Sequence, residues 1–383
     1  MDRSRATGKS AVMIVCASPG DQYQTYKEEI DLAIARVLKS GWYVLGEEVK
    51  AFEKEFAEYQ GVKHAIGVGS GTEALHLALA ALGVGRGDEV ITVSHTAVAT
   101  VSAIELTGAK PVLVDIDSEY FTLDAAKLEA AITPRTKAII AVHLYGQAAP
   151  IHEVIAMAKT RGIKVIEDCA QATGTQIQGV KAGSIADVGC FSFYPTKNLG
   201  AIGDGGALVT NDDDIAKKIQ LLRQYGWENR YISKISGWNS RLDELQAAIL
   251  RIKLRGLDKD NLKRIQIAKA YDESLSALAK STGRFTLPKV RPHTLHTYHL
   301  YVLQTAERDA LMSHLKTNDI HCMIHYPMPV HLQPAYLGKI GLPGSMSTTE
   351  KASNTVISLP MYPELSAASV KTVIDQLSRF FGK

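Results

Sequence analysis

The amino-acid sequence predicts an α/β protein in which a large, mostly parallel β-sheet precedes a smaller α+β domain. Between residues 64 and 211, short apolar runs alternate with segments of helical periodicity, as where HAIGVG is followed by GTEALHLALAAL. Continuous apolar strands separated by helices are typical of a parallel sheet that is covered on both faces. The length of 383 residues is enough for two domains of ordinary size.

The remaining elements follow from the periodicity of apolar residues. From Lys27 to about Tyr59, apolar residues recur three and four positions apart, which predicts helix. Residues 239–280 form a strongly charged helical segment that can lead out of the first domain, and shorter strands and helices follow it, with strands expected at HLYVLQTA and HCMIHYP. We therefore expect an N-terminal extension at 1–26, a large domain at 27–253 and a small domain at 254–383.

Composition excludes several classes of protein. The formal net charge is only +3, from 43 basic and 40 acidic residues that are interleaved, so a nucleic-acid surface is not expected. The four cysteines are scattered without a CxxC pair, which favours reduced thiols in a cytoplasmic protein over disulfides or a metal site. The apolar runs are shorter than a membrane helix requires, and neither a membrane partner nor secretion is expected.

The segment GVGSGTEAL has the pattern of a strand, a tight turn and a helix. The backbone N–H groups of Gly71 and Thr72 then open a helix N-terminus, which is suited to binding a phosphate. A capped turn without a ligand, with Ser70 or Thr72 as the cap, is the alternative.

The segment KVIEDCAQA ends a buried strand with two adjacent carboxylates. Because side chains alternate along a strand, Asp168 and Glu167 point to opposite faces of the sheet, and we expect Asp168 to face the site. A carboxylate inside a sheet needs a cation or several hydrogen bonds. A structural salt bridge would also satisfy this requirement.

The segment FSFYPTKNLGAIGDGG runs from an aromatic strand through a Pro-Thr-Lys turn into glycine-rich chain. If Lys197 were only a surface charge, the aromatic residues before it and the glycines after it would be coincidental. A lysine held at a strand end can instead form an imine with an aldehyde. That reaction needs a neutral amine, so we expect burial to lower the pKa of Lys197.

Together these three features specify one cofactor, pyridoxal phosphate, which carries a phosphate, an aldehyde and a basic ring nitrogen. The SGT turn and Ser192 would bind the phosphate, Lys197 would react with the aldehyde, and Asp168 would keep the ring nitrogen protonated. A protonated ring stabilises negative charge at the substrate carbon.

The motifs IEDCAQA, FSFYPTKNLGAIGDGG, NSRLDELQAA and HYPMPVHLQP resemble those of the DegT/DnrJ/StrS family of sugar aminotransferases. The resemblance spans nearly the whole chain. It implies fold type I of the pyridoxal-phosphate-dependent transferases, a nucleotide-linked keto-sugar as substrate, and a homodimer whose active sites lie at the subunit interface.

The resemblance also implies roles for individual residues. Lys197 is similar to the Schiff-base lysine and Asp168 to the partner of the ring nitrogen, so these two are the expected catalytic residues. The remaining residues expected to contact the cofactor are Gly71, Thr72 and Ser192 at the phosphate, Gln171 near the phenolic oxygen, and Asn239 from the neighbouring subunit. The residues expected to contact the sugar are Tyr43, Arg241, His325, Tyr326 and His331. A turn without a catalytic role is an equal alternative for the His-Tyr-Pro segment.

One position departs from the family pattern. Many relatives have an aromatic residue that stacks on the cofactor ring where this chain has Ala97, in the segment VSHTAVAT. His95 is the nearby candidate for that role. If neither residue covers the ring, cofactor affinity or reaction specificity would differ from that of the family.

We therefore expect a two-step transamination in which L-glutamate supplies the amino group and a dTDP-linked 3- or 4-keto-6-deoxy sugar accepts it. The segments CAQA and HLYGQ favour the 3-keto class. A sugar dehydratase is one alternative. Some relatives that dehydrate sugars carry histidine in place of the Schiff-base lysine, and the presence of Lys197 here argues against that activity. A regulatory or binding protein that retains the fold is another, and the pairing of Lys197 with Asp168 argues against it. A dinucleotide-binding enzyme lacks support, because no GxGxxG follows the first strand.

Overall fold

A seven-stranded sheet lies at the centre of the computed structural model, which describes residues 13–382. Within that range the helices are α1 (Pro19–Thr25), α2 (Lys27–Ser40), α3 (Glu47–Gln60), α4 (Gly71–Ala81), α5 (Val98–Leu106), α6 (Ile151–Lys159), α7 (Asp213–Leu222), α8 (Glu244–Thr282), α9 (Arg308–Thr317), α10 (Ser347–Thr355) and α11 (Ala367–Phe381). The strands are β1 (Ile14–Val15), β2 (His64–Val68), β3 (Glu89–Val93), β4 (Lys110–Val114), β5 (Thr136–Val142), β6 (Lys164–Asp168), β7 (Gln176–Ile177), β8 (Val180–Lys181), β9 (Val188–Ser192), β10 (Gly206–Thr210), β11 (Trp227–Asn229), β12 (Ile232–Ser233), β13 (Phe285–Thr286), β14 (Thr294–Leu295), β15 (Tyr301–Thr305), β16 (Ile320–His321) and β17 (Val356–Leu359).

The central sheet has the strand order β2-β10-β9-β6-β5-β3-β4. Strands β9, β6, β5, β3 and β4 are parallel, whereas β10 is antiparallel to both of its neighbours. The segment between β9 and β10 contains no helix to serve as the crossover that a parallel pair requires, so the chain returns antiparallel. The carboxyl ends of β2, β3, β5, β6 and β9 consequently lie at one edge of the sheet.

Three hydrophobic cores include residues of the long helix α8, and the smallest of them lies between α8 and α2. Ala247, Leu250, Leu254 and Leu257 of this helix pack into the core around the central sheet. Further along the same helix, residues from Ile267 to Leu275 pack into a second core with β15, β17, α9 and α11. The predicted boundary between 253 and 254 therefore falls inside a continuous helix, and the division into domains stays a prediction.

The helical segment predicted from Lys27 to Tyr59 consists of two helices. Gly41, with φ of 67°, ends α2 in the left-handed conformation that glycine adopts without steric cost. The strand predicted at HCMIHYP is shorter than expected, since only β16 and one further bridge at Met323 pair with neighbouring chain.

The start of the described chain is part of the fold. Strand β1 pairs in parallel with β16, and Gln22 of α1 accepts a hydrogen bond from Lys253 of α8 (2.9 Å). Of the extension predicted at 1–26, residues 1–12 lie outside the described part of the chain. No helix among residues 13–382 has the length and apolar character required to cross a membrane.

Candidate active site

The turn that carries Lys197 is fixed by the core beneath it. Phe191 and Phe193 are fully buried, and their rings pack edge-on against Phe56 with centroid distances of 5.1 and 5.5 Å. Beyond the strand, the amide of Lys197 donates to the carbonyl of Tyr194 (2.8 Å). The aromatic residues therefore anchor the strand end from which the lysine projects.

Glycine is required where this turn closes. A Cβ atom at position 200 would lie 2.5 Å from the carbonyl oxygen of Pro195, which is closer than van der Waals contact allows. Gly200 thus lets the chain fold back tightly around Lys197.

The charge states of Lys197 and Asp168 are set by burial and by each other. Burial lowers the pKa of Lys197 to about 8, and the carboxylate of Asp168 opposes that shift. Burial raises the pKa of Asp168, while hydrogen bonds and the charge of Lys197 lower it. A lysine with this pKa has a substantial neutral fraction near physiological pH, as a nucleophile or base requires.

Asp168 is the last residue of β6 and is held by two donors. Its Oδ1 accepts from the amide of Ala170 (3.1 Å) and its Oδ2 from the hydroxyl of Thr100 in α5 (2.9 Å). The Thr100 hydroxyl lies 2.9 Å from that of Thr96. Because these bonds stabilise the ionised carboxylate, they counteract the rise in the pKa of Asp168 that burial causes.

A second hydrogen-bonded group forms the wall of the site around Tyr145. Its hydroxyl lies 2.7 Å from Nε2 of His95 and also donates to the carbonyl of His325. Its amide donates to Oε1 of Gln171 (2.8 Å), and Nε2 of Gln171 donates to the hydroxyl of Tyr326 (2.9 Å). Tyr145 has φ of 63°, a strained conformation for a residue other than glycine.

The two histidines of this wall are held in the neutral form. Burial lowers the pKa of His95 to about 4 and that of His325 to about 4, and the charge of Lys197 lowers the latter further. Nδ1 of His95 is buried without a hydrogen-bond partner among the described residues. Its ring lies 6.5 Å from that of Tyr326, centroid to centroid. The stacking role of His95 stays a prediction.

The predicted phosphate turn meets the end of β9. A Cβ atom at position 71 would lie 2.6 Å from Cβ of Ser192, and one at position 206 would lie 2.4 Å from the carbonyl oxygen of Ser70. The Ser70 side chain caps α4 by accepting from the amide of Glu73 (3.2 Å). The amides of Gly71 and Thr72 thus open an 11-residue helix directly beside Ser192.

Tyr43, Asn239 and Arg241 lie on a separate stretch of surface. Within the described residues, none of the three forms a hydrogen bond with Asp168, Lys197 or the group around Tyr145. Asn239 is exposed, and Arg241 is partly buried without an ion pair in the described part of the chain.

Ser240 connects this stretch to the phosphate turn. Its hydroxyl accepts from the amide of Gly69 (3.3 Å) and donates to the carboxylate of Glu73 in the first turn of α4. Asn239 and Arg241 therefore flank Ser240, which is hydrogen-bonded to the start of α4, where the predicted phosphate turn lies.

His331 is used within the fold. Its Nδ1 lies 2.7 Å from the hydroxyl of Ser94, at the end of β3, and its Nε2 lies 3.3 Å from the carboxylate of Glu350. Both ring nitrogens are thus engaged within the fold, and contact of His331 with the sugar stays a prediction.

Glu167 belongs to the opposite face of β6. Its carboxylate lies 3.0 Å from Nε2 of His143 and accepts from the amides of Gly183, Ile185 and Ala186, each at 2.9 Å. Cys169 is close enough to complete a set of three potential metal ligands. Since Nδ1 of His143 accepts from the amide of Ala149 (2.9 Å), the pair is satisfied by the protein itself.

Comparison with known proteins decides the class of this chain. Residues 24–378 match the model of the DegT/DnrJ/EryC1/StrS aminotransferase family. The chain belongs to that family. The predicted aminotransferase class is thereby confirmed, as is the predicted cofactor, because the aminotransferases of this family depend on pyridoxal phosphate.

Individual relatives cover almost the full length. The chain is 48% identical over 356 residues to the erythromycin biosynthesis sensory transduction protein EryC1 of Saccharopolyspora erythraea, covering 93% of this chain and 96% of that one. It is 46% identical over 353 residues to a dTDP-3-amino-3,4,6-trideoxy-alpha-D-glucose transaminase of Streptomyces venezuelae, covering 92% of each. A crystal structure of S. venezuelae DesV in complex with a ketimine intermediate superposes with a TM-score of 0.94 at 43% identity, covering 97% of this chain and 99% of that one. This similarity confirms the predicted fold type I architecture.

The residues present fit the family cofactor. Because Gly71 and Gly206 have no Cβ atom, the first turn of α4 packs directly against the ends of β9 and β10, which places Ser192 beside the α4 amides that can bind a phosphate. Lys197 and Asp168 interact electrostatically across the same edge of the sheet. The chain can thus supply an anion site, an amine of low pKa and a carboxylate from neighbouring strand ends.

The sequence patterns do not reveal Thr100 or Tyr145 as residues of the site. Thr100 lies inside a helix whose other residues are mostly apolar, and its contact with Asp168 spans 68 positions. Tyr145 follows the end of β5, so its position at a strand terminus was the available signal.

The first prediction concerns Thr100→Val in this aminotransferase. Removing the hydroxyl destabilises ionised Asp168 and so raises the pKa of Asp168. As the pH is lowered, the carboxylate is therefore protonated earlier than in the wild type. We expect the acid limb of the kcat/KM profile to move up by about one pH unit.

Thr100→Ser keeps the donor and serves as the control. The other titratable groups that act on Asp168 or lie beside it, Lys197, His143, Tyr326, Cys169 and Cys190, are unchanged in both variants. Identical acid limbs for the valine and serine variants would contradict a role for this hydroxyl.

The second prediction concerns the Lys197 amine in the cofactor-free protein. Acylation by acetic anhydride requires a neutral amine, so it rises with pH through the pKa. With a pKa of about 8, Lys197 reaches half-maximal labelling near that pH, as read by peptide mass spectrometry. The exposed Lys50, whose pKa is raised by its hydrogen bond to Glu47, is the internal control. Labelling of both lysines over the same pH range would show that burial does not act on Lys197.

Proposed function

We propose that this protein transfers the amino group of L-glutamate to the C3 carbonyl of a dTDP-linked 3-keto-6-deoxy sugar. The observation that carries the proposal is the position of Lys197 and Asp168 where β6 and β9 end side by side, with the charge of each acting on the pKa of the other. The proposal uses pyridoxal phosphate, whose aldehyde and protonated ring supply an electrophile and an electron sink when it is bound.

Lys197 is proposed as the residue that binds the cofactor and then moves the proton. With a pKa of about 8, its amine can accept the proton that leaves the α-carbon of the amino donor. A base positioned in this way contributes about 10²–10⁴-fold to the rate. The turn held by Phe193 and Gly200 keeps the amine at the strand end.

Asp168 is proposed to hold the proton on the ring nitrogen. Its ionised form is supported by Thr100 and by the amide of Ala170. The phosphate would lie on the amides of Gly71 and Thr72 with the hydroxyl of Ser192. Gln171 and the Tyr326 hydroxyl, which are bonded to each other, would border the reacting carbon together with His95 and His325.

The choice of sugar is supported by the names of relatives. Three of them, at 45–46% identity, are transaminases of dTDP-linked 3-amino sugars. Two others, at 42 and 43% identity, are named for 3-oxo or 3-dehydro sugars linked to UDP. Amination at C3 is common to both groups, whereas the nucleotide differs, and the higher identities favour dTDP.

The third prediction tests the substrate. Because transamination is reversible, we would incubate the loaded enzyme with 2-oxoglutarate and a matched pair of dTDP-linked 3-amino and 4-amino sugars, with UDP-linked 3-amino sugars alongside. We expect glutamate and a keto-sugar from the dTDP-linked 3-amino compound, detected by mass. Lys197→Ala should lower the rate by at least about 10²-fold.

The outcomes separate the alternatives. If the protein does not bind pyridoxal phosphate, every function that depends on this cofactor is excluded. Uptake without any exchange between glutamate and 2-oxoglutarate would favour a binding or regulatory protein over an enzyme. Turnover of the 4-amino sugar alone would show that the position of amination is wrong.

We further propose a homodimer with shared active sites, in which Asn239 of one subunit reaches the phosphate in the other and Arg241 contacts the sugar. Exposed aromatic and aliphatic side chains surround these residues, as expected for an interface. They are Trp42, Tyr43, Val44, Tyr225, Tyr231, Ile232 and Trp238, which are 40–72% exposed. Together with Asn239, they would be covered by the second copy.

The fourth prediction is subunit complementation. Lys197→Ala and Asn239→Ala chains carry different affinity tags, are coexpressed, and the mixed dimers are purified over both tags. If Asn239 acts across the interface, one of the two sites in the mixed dimer has both residues intact. We expect about half of wild-type activity, while each variant alone has little. Mixed dimers as inactive as their parents would place Asn239 in the site of its own chain.

We infer a cytoplasmic location for the protein. Cys16, Cys169, Cys190 and Cys322 are all free thiols in the structure, which supports a reducing compartment.

A further inference from the structure

We propose that Asn261 of α8 is a positioning residue that fixes the turn of Lys197 relative to the loop that follows Asp168. The inference rests on the roles proposed above for Lys197 and Asp168. Asn261 touches neither residue, and it acts through hydrogen bonds to the chain beside each of them.

The first of these bonds goes to the neighbour of Lys197. Asn198 is buried, with 4% of its surface exposed, and its Nδ2 donates to Oδ1 of Asn261 (2.8 Å) and to the carbonyl of Thr297 (3.1 Å). Its Oδ1 lies 3.2 Å from Nδ1 of His299. The side-chain amide next to Lys197 is therefore held at both ends.

The second bond goes to the loop after Asp168. Nδ2 of Asn261 donates to the carbonyl of Thr173 (3.1 Å). A Cβ atom at position 174 would lie 2.5 Å from that same Nδ2, so Gly174 is needed for the close approach. One buried amide thus bridges the turn that carries Lys197 and the loop that follows Asp168.

A second residue of α8 supports the same turn. Lys253, which is 2% exposed, donates to the carbonyl of Gly200 (2.8 Å) and to Oε1 of Gln22 (2.9 Å). Helix α8 therefore contacts the chain that follows Lys197 at two points, Asn198 and Gly200. A rigid helix is a suitable frame for a site in which small displacements cost rate.

The fifth prediction concerns Asn261→Leu, which keeps a side chain of similar size and removes both hydrogen bonds. Hydrogen–deuterium exchange should rise in the segments 194–201 and 169–175, with the cofactor bound and without it, and stay unchanged in β3. In the loaded enzyme, kcat should fall about 10- to 100-fold, as for a displacement of about 1 Å, with KM for the amino donor within about twofold.

Asp272→Leu is the matched control on the same helix. It removes the bond that Asp272 accepts from the Tyr301 hydroxyl (2.6 Å), away from both loops, so exchange in the two segments and kcat should be unchanged. If Asn261→Leu matches this control, the positioning role is wrong. If wild type itself shows no transamination, the proposed function fails, and the exchange data still decide the role of Asn261.

Asn261→Asp keeps the test decisive if the leucine variant does not fold. Its carboxylate still accepts from Asn198 but no longer donates to Thr173. Exchange should therefore rise in 169–175 and stay low in 194–201. Unchanged exchange in 169–175 would overturn the proposal.

Discussion

The proposed chemistry depends on keeping an amine and a carboxylate out of water at the end of one sheet. Burial alone would neutralise both groups, because it lowers the pKa of Lys197 and raises that of Asp168. Their mutual attraction raises the pKa of Lys197 and lowers that of Asp168. The balance is useful only if the distance between them is maintained, since electrostatic interactions in a poorly solvated site change steeply with separation. Much of the surrounding structure consequently restrains the two loops that carry these residues.

The restraint comes from different kinds of contact. Aromatic packing holds the strand before Lys197, and glycines allow the turn beyond it to close. Polar side chains of α5 and α8 reach in from outside the sheet, where Thr100 contacts the carboxylate and Asn261 the two loops. Apolar contacts set the position of the elements, and directional hydrogen bonds then select one arrangement of the loops.

The sequence predicted those parts of the molecule that depend on local pattern. The strands of the central sheet follow from apolar runs. Asp168 stands out because it ends such a run, and Lys197 because it lies in the turn after one. Thr100 and Asn261 could not be found in this way, because their partners are 68 and 63 positions away. A polar residue inside a helix has no local feature that reveals what it will contact. The strand predicted near Met323 is too long for a related reason, because Cys322 and Ile324 pack against the cores from a segment that is mostly unpaired.

Helix α8 packs into two large cores, and the core around the central sheet is completed by residues that come after this helix in the chain. The core around the central sheet also contains Leu300, Val302, Ala352 and Val356, which are added late in translation. Most of the polypeptide must therefore be synthesised before the core around the sheet can be completed. Until then the nascent protein exposes apolar surface, and aggregation can compete with folding.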